Sequence, residues 1–246
     1  MIGKEKRLKK YIEKLKKIDS IPYLEIPLKQ SSIKITEGWF YLEKETKIHG
    51  LKIHTGIDFK TRRNEPVYAS AEGWVSSSYH SFQVINKDKS LKKYKNKNVN
   101  NGMGFFVQIY HPKNKRYTQY GHLSKISNNI PFGSPRRIKE NYYPYAYKTS
   151  PKRMKNSKYY TWVNKGNLIG YVGDSGLTWG YKDYPKRPDT KKYPSWDEIH
   201  LHFQEFNRNK QGNKIEPRDT FNIYNTYQGY PQTKKEFKNT LWKQEV

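Results

Sequence analysis

The chain contains no cysteine, which removes disulfides, thiolate metal sites and cysteine nucleophiles together. Any metal it holds must be bound by histidine and carboxylate. Long apolar runs are missing too: residues 1–20, MIGKEKRLKKYIEKLKKIDS, lack the stretch that a signal peptide or membrane span requires. No transmembrane segment is expected, and export would need a leader outside this sequence or another route. The H-E-x-x-H pattern is absent, so a general base of that arrangement is excluded. Aliphatic residues are scarce as well. A hydrophobic content of 34% with a net charge of +26 leans toward disorder, but 22 Tyr, 10 Phe and 6 Trp supply the apolar, strand-favouring surface of an ordered β core.

So large a positive charge attracts polyanions, whether nucleic acid, anionic lipid, phosphate-bearing wall polymers or a carboxylate-rich peptide mesh. Charge alone does not choose among them. No recognisable nucleic-acid-binding motif is present, so no specific nucleic-acid partner is expected.

A chain of 246 residues can form one main domain with attached extras. Leu8, Tyr11, Ile12, Leu15 and Ile18 recur at helical spacing among lysines, which predicts a short amphipathic helix docked on the body. From residue 33 onward, short β-branched and aromatic runs alternate with Gly, Asn, Pro and Asp. Strands are predicted at Val67–Ala69, Gly73–Ser76, Phe105–Tyr110, Tyr117–Tyr120, Leu168–Val172 and Leu201–Phe206. The fold class expected is mainly β, an antiparallel sheet. Ser77–Met103, Lys125–Trp162 and Trp179–Glu198 read as long decorating loops, where substrate contacts commonly sit. The divisions expected are a helical and extended segment at 1–37, a main domain at 38–221, and a polar tail or extension at 222–246.

Two groups of histidines are placed for chemistry. His200 and His202 lie two residues apart in a strand-like run, so both project from one face. Taken alone, a solvent-facing pair on an edge strand explains them better than a metal site does. His54 and Asp58 are separated by Gly56, which favours a turn entering a strand over a helix. Asp58 then sits between apolar Ile57 and Phe59 and needs a cation, either a metal or a basic side chain. Two histidines and one aspartate make three N/O ligands, the usual count for a catalytic zinc with one open position. His122 follows a strand and a glycine. On its own it reads as a satisfied structural histidine.

HTGIDF (54–59), PVYASAEGWV (66–75), GFFVQIYH and YTQYGHLS (104–111 and 117–124), KGNLIGYVGDSG (165–176) and HLHFQ (200–204) stand in an order that resembles the lysostaphin/LytM-type zinc metallo-endopeptidases. The resemblance spans about residues 38–221 and ends near Ile215-Glu216-Pro217. It implies a small antiparallel β domain with a loop-walled groove, one Zn2+ per chain on His54, Asp58 and His202, and His122 with His200 as the catalytic pair. It further implies hydrolysis of peptide crosslinks in peptidoglycan, in the periplasm or at the cell wall, with stem peptides as partners and anionic wall polymers as further partners of the basic surface. Both catalytic histidines would need little tuning, since imidazole titrates near neutrality. Gly56 and Gly121 are expected to allow close backbone approach. Leu177–Ile199 and Lys125–Trp162 are longer than the family pattern, which bears on substrate preference. Some relatives have lost ligands and activate other wall hydrolases, so the alternative is a non-catalytic or autoinhibited wall-binding module.

Overall fold

The computed structural model describes residues 2–18, 21–30, 33–39, 47–48, 51–52, 54–80, 103–132, 136–138, 141–143, 151–176, 199–210, 212–225, 229–237 and 239–243. A helix at Ile2–Lys16 precedes strands β1 (Ile35–Glu37), β2 (Lys47–Ile48), β3 (Leu51–Lys52), β4 (Ile57–Lys60), β5 (Pro66–Tyr68), β6 (Gly73–His80), β7 (Gly104–His111) and β8 (Arg116–Ile126). There follow β9 (Arg136–Ile138), β10 (Asn141–Tyr143), a short helix at Pro151–Lys155, β11 (Thr161–Val163), β12 (Leu168–Val172), β13 (His200–Arg208) and β14 (Lys214–Arg218). The main sheet runs β1-β4-β13-β8-β7-β6-β10-β9, with β14 beside β13, β12 bridging β5 and β8, and β11 beside β6. These pairings are antiparallel, and the fold is mainly β as the composition of the strands led one to expect.

Side chains on a strand alternate between faces, and along β13 this alternation divides the molecule. Leu201, Phe203 and Glu205 point to the back, where Phe203 lies 5.0 Å from the Trp242 ring and 5.2 Å from that of Tyr120. The back face holds the main core. Its members include Ile57, Phe59, Val107, Ile109, Leu123, Leu201, Phe203 and Phe221. Segment 222–246, expected as a polar tail or extension, sends Phe237, Leu241 and Trp242 into this core, and Trp242 bridges to Leu24. The N-terminal helix docks through Leu8, Tyr11 and Leu15 onto Trp39 and Tyr224, so the amphipathic spacing does what it implied.

On the front, β13 places His200, His202, Gln204, Phe206 and Arg208, and cross-strand register extends each layer. Gln204 stands opposite Gln119, which stands opposite Gln108. Next come Phe206, Tyr117, Tyr110 and Trp74 in the same layer. The Pro151–Lys155 helix covers that aromatic end with Met154, buried beside Tyr117, Tyr160 and Phe206.

Two expected loops are partly strand. Ser77–His80 continue β6, because Ser76, Ser77 and Ser78 are small enough to be buried in a closely packed ladder. Lys125–Trp162 contains the end of β8, strands β9 and β10, the short helix and the start of β11. The remainder of Ser77–Met103 up to residue 102, and Trp179–Glu198, lie outside the described residues.

Candidate metal centre

Asp58 on β4 stands directly opposite His202 on β13, and His54 enters from the turn before β4. All three side chains are buried. His54 Nε2 lies 3.0 Å from His202 Nδ1, which lies 2.8 Å from Asp58 Oδ1, and His54 Nε2 to Asp58 Oδ1 is 3.5 Å. Tetrahedral ligands about 2.0–2.1 Å from a zinc ion stand about 3.3 Å apart. The triangle matches that spacing, and these three residues form a group able to hold a metal ion. His54 Nδ1 is 2.7 Å from the Gly38 carbonyl; donating there leaves Nε2 with its lone pair facing the other two ligands.

The charge state suits the same purpose. Burial disfavours an ionised Asp58, but His54, His200 and His202 outweigh it and hold the carboxyl well below its usual range. Burial pushes His202 down to about 4 despite the Asp58 charge beside it, so its ring is neutral near pH 7. Glu37, opposite Asp58 on β1, has its carboxyl pushed up by burial and then by the Asp58 charge.

Gly56 is required by the site. A Cβ there would fall 2.5 Å from His202 Nε2 and 2.6 Å from the Phe203 carbonyl oxygen. Gly121 differs: its Cβ would meet the tip of the Met103 side chain, which can move.

His122 reaches the front face through an irregularity. Between Tyr120 and Leu123, β8 spends one more residue than β7 does between Val107 and Phe105, and His122 adopts φ 58°. Such a bulge re-aims a side chain. Simple alternation from Tyr120 would have sent His122 to the back; instead its ring lies 4.7 Å from that of His200 and 6.0 Å from that of His202. His122 Nδ1 lies 2.9 Å from the Ser175 carbonyl, and Ser175 is itself fixed by Phe105 N–H donating to its Oγ at 2.9 Å and by Oγ donating to the Leu123 carbonyl at 2.6 Å. Gly104, at φ 59°, lets that segment approach: its Cβ would fall 2.1 Å from the Ser175 carbonyl oxygen. His200 completes the cluster, with Nε2 3.7 Å from Asp58 Oδ2.

All five residues singled out from sequence therefore meet in one place. One expectation fails. His122 was expected to need little tuning, yet burial, then His200 and His202, push it down to about 3. Sequence reasoning also missed Gly38 and the carbonyl of Ser175 as the groups that orient the two rings. Ser175 lay within a recognised block, but a backbone acceptor leaves no side-chain signal.

An antiparallel sheet bearing a buried two-histidine, one-aspartate cluster, with two further histidines beside it, makes a candidate metal centre. Residues 52–134 match peptidase family M23, which bears out the resemblance to the lysostaphin/LytM type. That span contains His54, Asp58 and His122; β13 brings His200 and His202 from beyond it. Among solved structures the chain is similar to Helicobacter pylori Csd3, at 18% identity over 79% of this chain and 33% of that one, with a TM-score of 0.39. It is similar to lysostaphin from Staphylococcus simulans at 16% identity over 83% of this chain and 55% of that one, TM-score 0.43. The catalytic domain of the prophage-encoded M23 protein EnpA from Enterococcus faecalis gives 17% identity over 77% and 92%, TM-score 0.39. The chain thus spans about a third of the length of Csd3. No curated protein matches.

Proposed function

We propose that this protein is a zinc-dependent endopeptidase that hydrolyses peptide crosslinks of bacterial peptidoglycan, with His54, Asp58 and His202 as metal ligands and His122 and His200 as the catalytic pair. The observation that carries the reading is the convergence of His54 Nε2, Asp58 Oδ1 and His202 Nδ1 within 3.5 Å of one another, inside a chain that matches a peptidase family.

The donor set fits zinc: two imidazole nitrogens and one carboxylate oxygen, buried, with one imidazole oriented by a backbone carbonyl. Zinc there would supply Lewis acidity, polarising the scissile carbonyl and bringing the deprotonation of water toward neutral pH. The chain's own groups handle the protons. His122, neutral near pH 7 and oriented through its Nδ1 by the Ser175 carbonyl, pairs with His200, and the pair takes the proton of the attacking water. His200, its ring 4.7 Å away, donates a proton to the departing amine as the C–N bond breaks.

Action on stem peptides in the periplasm or at the cell wall, and attraction of anionic wall polymers to a chain of net charge +26, belong to the same proposal. Protein purified without chelator is expected to contain about one zinc per chain by elemental analysis and to release new amines from purified sacculi. Binding to sacculi with no amine released would overturn the peptidase reading in favour of a wall-binding module. Mass spectrometry of the released muropeptides identifies the bond.

A further inference from the structure

Beyond His202, the front face carries two cations, Arg208 on β13 and Lys214 on β14, which among the described residues have no acid as an ion-pair partner. Arg208 stands opposite Lys214 of β14. Lys214 is an exposed residue whose ammonium donates to Gln204 Oε1 at 2.8 Å and to Gln119 Oε1, 4.8 Å from the Phe206 ring. Arg208 lies 5.2 Å from the same ring, donates Nη2 to Gln108 Oε1 at 2.6 Å and Nη1 to the Gly212 carbonyl, and its buried Nε has no hydrogen-bond partner among the described residues. Every acceptor here is a neutral amide, and among the described residues neither cation forms an ion pair.

Like charges side by side repel, and cations held over aromatic and amide groups remain short of a counter-charge. Burial of the ammonium and the adjacent Arg208 push Lys214 down to about 7, in keeping with that shortage. An ammonium has three donors, and among the described residues two are used here. The chain does not lack the means to neutralise buried cations, since on the back of β13 Glu205 takes both Arg116 and Arg218.

We infer that Lys214 and Arg208 form a receiving site for a carboxylate on the substrate, so that the peptide accepted by the metal centre is acidic. The inference rests on the peptidase reading for its substrate. Gln204, which holds the Lys214 ammonium, lies two residues from His202, about 7 Å along the strand. An extended peptide laid along β13 covers that distance in two residues, which places the recognised carboxylate about two residues from the bond cleaved.

The test is binding, measured by calorimetry with the full chain, of a stem pentapeptide with free side carboxylates and of the same peptide with those groups converted to primary amides. Wild-type protein should bind the free-acid form at least tenfold more tightly, and Lys214→Met should bring the ratio close to one while binding of the amidated peptide stays unchanged. Arg208→Gln provides the same reading if Lys214→Met fails to fold, as judged by thermal unfolding. Equal binding of the two peptides by wild type, or a ratio that survives both substitutions, overturns the inference. Tight, discriminating binding with the peptide left intact would overturn the peptidase reading while leaving the carboxylate site standing.

Discussion

On the back of β13, Glu205 is completely buried and receives Arg116 Nε at 2.7 Å, Arg218 Nε at 2.9 Å and the Tyr23 hydroxyl at 3.0 Å. On the front, three residues away in one direction, at His202, three histidines face a single aspartate; three residues away in the other, at Arg208, two cations face amides and the Phe206 ring. The back closes its charges among themselves and is finished by the packing of Trp242. The front leaves its electrostatics incomplete, with lone pairs converging in one place and positive charge in another. A strand that must hold the fold and serve a ligand can do both because its two faces are chemically independent at a period of two residues.

The comparison breaks most sharply if the front is emptied. His202→Ala removes one of three ligands, and activity on sacculi is expected to fall by roughly 10⁴ or more, about 5 kcal/mol of barrier. Zinc content should drop with it, while the urea midpoint of the metal-free protein stays close to that of metal-free wild type. Unchanged activity would remove His202 from the site.

The matching change on the back is Glu205→Gln. It preserves shape but leaves Arg116 and Arg218 buried without their counter-charge, and breaking a buried ion pair in this way costs about 3–5 kcal/mol. Urea unfolding measures the loss. Zinc stoichiometry in the variant at low denaturant should equal that of wild type, since Glu205 faces away from His202.

Acid probes the same pair more gently. Burial opposes ionisation of Glu205, but Arg116 and Arg218 prevail and hold its carboxyl down at about 2, against an ordinary value of 4.5. A depressed carboxyl contributes stability that is complete above the unfolded pKa and lost as pH falls toward the folded one. The loss should therefore run from about pH 4.5 down to about 2 and amount to about 3 kcal/mol. Urea midpoints across that range should fall in wild type and fall less in Glu205→Gln.

Much of this division was legible in the sequence. Period-two spacing put His200 and His202 on one face, and apolar neighbours marked Asp58 as a buried acid in need of cations. The strands announced themselves wherever aromatic and β-branched residues ran together, as at Leu168–Val172, which is β12 without change of boundary. His122 was not legible from spacing because a bulge reverses the face it would otherwise occupy; only its place in a recognised block marked it. Ser76–Ser78 hid the length of β6, since serine carries no hydrophobic signal even when buried. Phe237, Leu241 and Trp242 hid for another reason. They anchor a segment with little regular structure, where no repeat announces which residues turn inward.

The smallest expected effect comes from a single methyl group that separates geometry from chemistry on the front face. Gly56→Ala changes the identity of none of the five histidine and aspartate residues, yet its Cβ would lie 2.5 Å from His202 Nε2 and 2.6 Å from the Phe203 carbonyl oxygen. Backbone on one side cannot yield without disturbing the β4–β13 pairing, so the imidazole must rotate or shift. Displaced orientation of a ligand is comparable to losing an outer-shell partner, about 10–100-fold in metal affinity. Competition with a chelator of known affinity measures it. If zinc is held as tightly by Gly56→Ala as by wild type, the ring has room that the packing against β4 denies, and His202 is not the residue whose placement Gly56 protects.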